Sequence, residues 1–103
     1  MAIAAVSISP VGVGTSVSEY VAAALRVVRA QDRVAYRLDS MFTTLEGELD
    51  EIFALVLKME EAVFAAGAER VGTVLKIDHR RDRAVSMQDK VDAVERLLDQ
   101  PDH

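Results

Sequence analysis

The residue whose type and setting most invite chemistry is Glu46, inside Thr43-Thr44-Leu45-Glu46-Gly47-Glu48. A carboxylate within a strand needs water, a partner or a ligand. Strand alternation sends Thr43, Leu45 and Gly47 to one face and Thr44, Glu46 and Glu48 to the other. On that second face Glu46 can accept hydrogen bonds from an amine or attract a cation, with a threonine hydroxyl two residues away. On these six residues alone, a solvated sheet face is the better account.

The other groups with chemical potential are weaker. Arg80-Arg81-Asp82-Arg83 could hold a phosphate, pair internally as a solvated turn, or bridge two subunits. His79 and His103 are the only histidines and there is no cysteine, so no metal-ligand spacing and no hydrolytic triad can be assembled. Gly12-Val13-Gly14 lacks both a third glycine and a following Lys-Ser/Thr, which leaves it a connecting loop and not a phosphate cradle.

Local patterns predict the elements that must position these groups. Residues 2–9 form a strand with Ala4, Val6 and Ile8 on one face and Ile3, Ala5, Ser7 and Ser9 on the other. Ser16-Val17-Ser18-Glu19 is a capping-box sequence opening a helix that ends near Gln31. A strand over 34–39, with Val34, Tyr36 and Leu38 together, turns through Asp39-Ser40 into 43–48 as a hairpin. A second helix follows from 49 to 66, with Leu49, Ile52, Phe53, Val56, Val63 and Phe64 as its expected buried stripe. Glu60 lies beside that stripe, and Gly67 stands at the C-cap. A long apolar strand over 71–78 and a third helix capped by Ser86, with Asp89 three residues on, complete the order. That helix carries Met87, Val91, Val94 and Leu98 as its stripe, and the last three residues are a frayed tail.

The order βαββαβ plus a terminal helix predicts an α+β, ferredoxin-like sandwich over residues 1–103 as a single domain. It has a four-stranded antiparallel-type sheet with two helices on one face, and the first and third strands are expected as central, parallel neighbours. The helix-free face then collects Ser7 and Ser9 with Thr44 and Glu46, and Tyr36 and Phe42 are near enough in sequence to offer a stacking surface. Ile3, Ala5 and a long apolar edge strand leave this face and edge wanting a cover. A second copy of the chain is the expected cover, and the third helix is the alternative.

Composition limits the partners. The chain has 103 residues, 28% of them charged, and a net charge of −5. Acidic balance and the lack of aromatics on the central strands argue against RNA or DNA. The first fourteen residues lack a basic leader and are broken by Ser7, Ser9 and Pro10, so they read as a strand and not a signal peptide. No apolar run reaches the roughly 18 residues of a membrane span. Absence of cysteine suits a cytoplasmic location.

Taken together, Tyr36, Leu38, Met41, Thr43 and Leu45-Glu46-Gly47-Glu48 resemble the signature of the small thiamine-binding protein family. So do Ser7, Pro10 and Ser16-Val17-Ser18-Glu19-Tyr20-Val21 upstream. Downstream, Ala66-Gly67-Ala68, Arg70-Val71, Lys76-Ile77-Asp78, Arg80-Arg81-Asp82 and Lys90-Val91 continue the likeness along nearly the whole chain. Three positions depart from it: Phe42 in place of the usual glycine, Ser40 in place of proline, and Glu60 in place of a common histidine. The resemblance implies ferredoxin-like domains that assemble into dimers or tetramers. It implies binding of thiamine or its hydroxymethylpyrimidine moiety at the open sheet face or a subunit interface, without catalysis or a cofactor. The ligand set it implies is Ser7, Thr43, Thr44, Glu46, Phe42 and Tyr36. Lys76, Arg80, Arg81 and Asp82 are candidate phosphate or interface contacts. The competing expectation is a structural oligomerising module with no small-molecule ligand.

Overall fold

The alternation of small and branched residues in Ala2–Pro10 makes it a strand buried on one face only, β1: Ala2, Ala4, Val6 and Ile8 are buried, and Ile3, Ala5 and Ser7 are partly open. In the computed structural model, which describes residues 1–14 and 17–101, β1 is followed by α1 (Ser18–Arg29), β2 (Ala35–Leu38), β3 (Thr43–Gly47), α2 (Leu49–Ala65), β4 (Val71–His79) and α3 (Met87–Leu98). The fold is ferredoxin-like α+β, with sheet order β2-β3-β1-β4 and every neighbouring pair antiparallel. The expectation that β1 and β3 run parallel is therefore corrected. The crossover through α1 makes β2 parallel to β1, and the tight hairpin reverses direction once more, so β3 must oppose β1.

Helices α1 and α2 cover the face made by Ala4, Val6, Ile8, Thr43 and Leu45, and together they form one apolar core. On α2 the buried stripe is Ile52, Leu55, Val56, Met59 and Val63, spaced by three and four residues as a helix face requires. Phe53 and Phe64 were expected in that stripe and are instead 49% and 46% exposed. Each follows a fully buried residue directly, and one residue along a helix rotates the side chain about 100° away.

The ends of the helices follow their local chemistry. After α2 the chain turns at Gly67, whose φ of +118° suits a residue without a Cβ. The Gly67 N–H donates to Phe64 and the Ala68 N–H to Val63, satisfying two terminal carbonyls. At α3 the expected capping box forms, with the Asp89 N–H donating to Ser86 Oγ and the Ser86 N–H to the Asp89 carboxylate. The capping-box expectation at Ser16 and the frayed-tail expectation for Asp102 and His103 lie outside the described residues. Helix α1 begins at Ser18, with Val17 in the cap position and no side-chain cap.

Candidate functional site

Antiparallel register fixes what stands beside what on the face turned away from α1 and α2, because residues directly opposite share a face. Ala35, Glu46, Ile3 and Asp78 form one row across the four strands. Arg37, Thr44, Ala5 and Lys76 form the next, two residues or about 7 Å further along each strand. A row in which apolar and acidic residues alternate thus lies beside a row with basic ends and a small, hydroxylated centre.

The first turn of α3 lies over these rows. The Met87 N–H donates to Glu46 Oε1 at 2.6 Å, Lys90 Nζ meets Asp78 Oδ2 at 2.5 Å, and Arg37 donates to Gln88 Oε1 at 2.8 Å. A helix N-terminus presents unpaired N–H groups and a partial positive charge, so a carboxylate at Met87 satisfies both. Lys90, through its hydrogen bond and its charge, holds the Asp78 carboxyl below the usual carboxylate range. Hydrogen bonds from Ser86, backbone and side chain, do the same for Asp89.

Between sheet and helix is a cavity of about 310 Å³, with Ile3, Ala5, Met87 and Val91 as apolar walls and Thr44, Arg37 and Lys76 among its polar groups. That size and mixture suit a small molecule with a few fixed polar groups. None of the residues of α3 is buried, so the third helix covers part of the open face and leaves Val94 and Leu98 of its apolar stripe bare.

The expected ligand residues divide between two places. Thr44 and Glu46 share the open face, Thr44 lining the cavity and Glu46 holding the helix that roofs it. Ser7, Thr43 and Phe42 line a second cavity of about 260 Å³, at the hairpin end of the sheet against α1. Thr43 is only 4% exposed, on the helix-covered face beside Leu45. Tyr36 pairs with Leu45 and so also faces the helix side. Tyr36 and Thr43 therefore do not join Glu46, because each is one residue out of phase with it. Phe42 is half-buried in the hairpin, its carbonyl accepting from the Asp39 N–H at 3.1 Å. Among the basic candidates, Lys76 lines the open-face cavity. Arg80 is tied to Asp82 by two hydrogen bonds, 2.5 and 2.8 Å, which lower the Asp82 pKa to about 2. Arg81 is exposed in the same turn.

Sequence reasoning missed Arg37, Asp78, Met87 and Lys90 as site residues. Arg37 was findable, since alternation from Tyr36 puts it on the face of Thr44 and Glu46. Glu60, on the opposite face, accepts a hydrogen bond from Thr73 Oγ1 and ties α2 to β4. Among the described residues no group of three His, Cys, Asp or Glu side chains could hold a metal ion, and no helix is long and apolar enough to cross a membrane.

A ferredoxin-like α+β sandwich with a mixed polar and apolar cavity on its helix-free face defines the class. Within it, the chain belongs to the thiamine-binding protein family, whose family model matches residues 4–95. The UPF0045 protein YqgV of Bacillus subtilis is 40% identical over 102 residues, covering 95% of this chain and 98% of its own. A UPF0045 protein of Methanothermobacter thermautotrophicus is 43% identical over 100 residues, covering 95% of this chain and 100% of its own. The crystal structure of the hypothetical protein MJ1052 of Methanocaldococcus jannaschii superposes with a TM-score of 0.83 at 37% identity, covering 91% of this chain and 95% of that one. A Thermotoga maritima structure at 20% identity, with a TM-score of 0.78 over 90% of this chain and 97% of that one, shares the fold.

Proposed function

We propose that this chain binds thiamine, or its hydroxymethylpyrimidine moiety, in the cavity between the open sheet face and α3, as a cytoplasmic carrier or sensor that catalyses nothing. The observation that carries this reading is the state of Glu46. One carboxylate oxygen is taken by the Met87 N–H, while among the described residues the other has no hydrogen-bond partner. That second oxygen is an acceptor for the exocyclic amine of an aminopyrimidine, and the Thr44 hydroxyl can donate to a ring nitrogen. Ile3 and Ala5 supply a flat apolar floor, and the Met87 thioether suits an aromatic ring above it. Membership of a family of binding proteins supports a carrier over an enzyme. The fold-level neighbour from Thermotoga maritima, a protein provisionally placed in thiamine biosynthesis or salvage, points to the same vitamin.

The competing reading, a structural module, is favoured by one observation. On α3, Val94 is 57% and Leu98 76% exposed, and β4 leaves a nine-residue edge unpaired among the described strands. Such surface is normally covered in solution. In our reading the single 103-residue domain self-associates through it as a dimer or tetramer and binds its ligand as well.

Calorimetric titration with thiamine, hydroxymethylpyrimidine and thiamine diphosphate tests the proposal. Saturable binding of at least one of them with a Kd below about 1 mM is expected. Failure of all three to bind well-folded protein leaves the structural module as the function.

A further inference from the structure

We infer that Arg37 and Lys76 form an anion subsite in the open-face cavity, one that takes the phosphate of a phosphomonoester. The inference rests on the open-face site proposed above and names the ligand class more narrowly. Arg37, Thr44, Ala5 and Lys76 occupy one cross-strand row, one residue from each strand. Three strand spacings, about 14 Å, separate the backbones of the two outer residues. Between them stand only a methyl group and a hydroxyl, so two long basic side chains can converge on one small group held over the middle of the sheet.

The charges in this cavity do not cancel. Its lining carries Arg37, Lys76 and Lys90 against one carboxylate, Asp78, and Glu46 beside it makes two against three, in a chain whose net charge is −5. Lys90 is matched by Asp78 at 2.5 Å. Arg37 gives one Nη2 hydrogen bond to a neutral amide, Gln88, which among the described residues leaves most of its five donors unused. Lys76 has no carboxylate within 4.0 Å among the described residues. Two uncompensated cations on either side of a small centre are the components that recognise a tetrahedral oxyanion, the guanidinium as a planar fork and the ammonium as a point charge. The acidic row holding Glu46 lies one register step away. A ligand with a donor-bearing ring at one end and a phosphate at the other, about 7 Å or more apart, spans both rows. A phosphate ester of the vitamin has that form, and the vitamin itself does not.

The test uses two probes on the full chain. Titration of ¹⁵N-labelled protein with inorganic phosphate is expected to shift the Ala5, Thr44 and Lys76 amides together. In calorimetry, thiamine monophosphate is expected to bind roughly tenfold more tightly than thiamine. Lys76→Met and Arg37→Met should each remove most of that preference for the monophosphate over thiamine, and Lys76→Arg should restore it. Unmoved amides with phosphate, thiamine binding with no preference for the monophosphate, or a preference indifferent to both substitutions would overturn the subsite. If thiamine and its monophosphate both fail to bind while phosphate still shifts the three amides, the vitamin assignment fails and the anion subsite stands. Should a methionine variant melt early, the wild-type titrations decide alone.

Discussion

The carboxylate of Glu46 and the backbone N–H of Met87, 41 residues apart in sequence, meet at 2.6 Å and join the middle of the sheet to the start of its last helix. One contact thereby serves two purposes. It satisfies an orphan donor of α3, and it leaves the other oxygen of Glu46 without a hydrogen-bond partner among the described residues. The strand carboxylate that looks misplaced in the sequence is the hinge-pin of the roofed face.

Two substitutions at this position separate its roles. Glu46→Gln keeps an acceptor for the Met87 N–H, so its melting temperature should stay close to wild type. Its other atom becomes a donor that opposes an incoming amine, so thiamine affinity should fall roughly tenfold or more. Glu46→Ala removes both and should additionally lose about 1–2 kcal/mol of stability. Calorimetry and thermal melts on both variants check this. A Glu46→Gln protein that binds normally but melts much earlier would make the residue structural only.

Acid should loosen the α3 attachment. Asp78, Asp82 and Asp89 all have folded pKa values below their ordinary ones. The stabilisation they carry is therefore complete above the unfolded carboxylate value of about 4 and is lost as pH falls through the folded values. The last of it goes near the Asp82 pKa of about 2. Thermal stability should be flat from neutrality down to about pH 5 and decline below about pH 4. Asp78→Asn should start lower at neutral pH and lose less on acidification. Parallel pH profiles for the two proteins would contradict the assignment of Asp78.

Much of the fold was legible because period-two and period-3.6 patterns are strong here. β1 and β3 alternate cleanly, Gly67 sits where a helix must stop, and Ser86 and Asp89 form the cap their spacing announces. Strand direction between β1 and β3 was misjudged because it depends on counting reversals through the hairpin, which no residue states locally. Phe53 and Phe64 misled because bulk suggests burial, while phase decides it. Glu46 and Thr44 were readable as neighbours on the open face. That α3 returns to cap Glu46 was not, since a backbone donor carries no mark in the sequence of where it will be used.

Helix phase on α2 decides which side chains carry stability. Ile52 is fully buried and its neighbour Phe53 half-exposed, so Ile52→Ala should cost about 2–5 kcal/mol. Phe53→Ala, measured on dilute protein, should cost under about 1 kcal/mol. Chemical denaturation of the two variants compares them directly. Equal losses would put Phe53 back in the core.

Self-association should run through the bare stripe of α3. Sedimentation equilibrium is expected to give a dimer or tetramer for the wild type. Val94→Glu should reduce the mass toward the monomer with far-UV circular dichroism unchanged. A wild-type protein that is monomeric at all concentrations would contradict this surface as an interface.

The central claim, that a small ligand enters between the open sheet face and α3, is tested most directly by following backbone amide shifts during a thiamine titration. The account predicts that the largest changes fall on Met87, whose N–H is held by Glu46, and on Ala5 and Thr44 beneath it. Changes confined to Ser7, Phe42 and Thr43 would move the ligand to the hairpin-end cavity, and no saturable change anywhere would remove the ligand altogether.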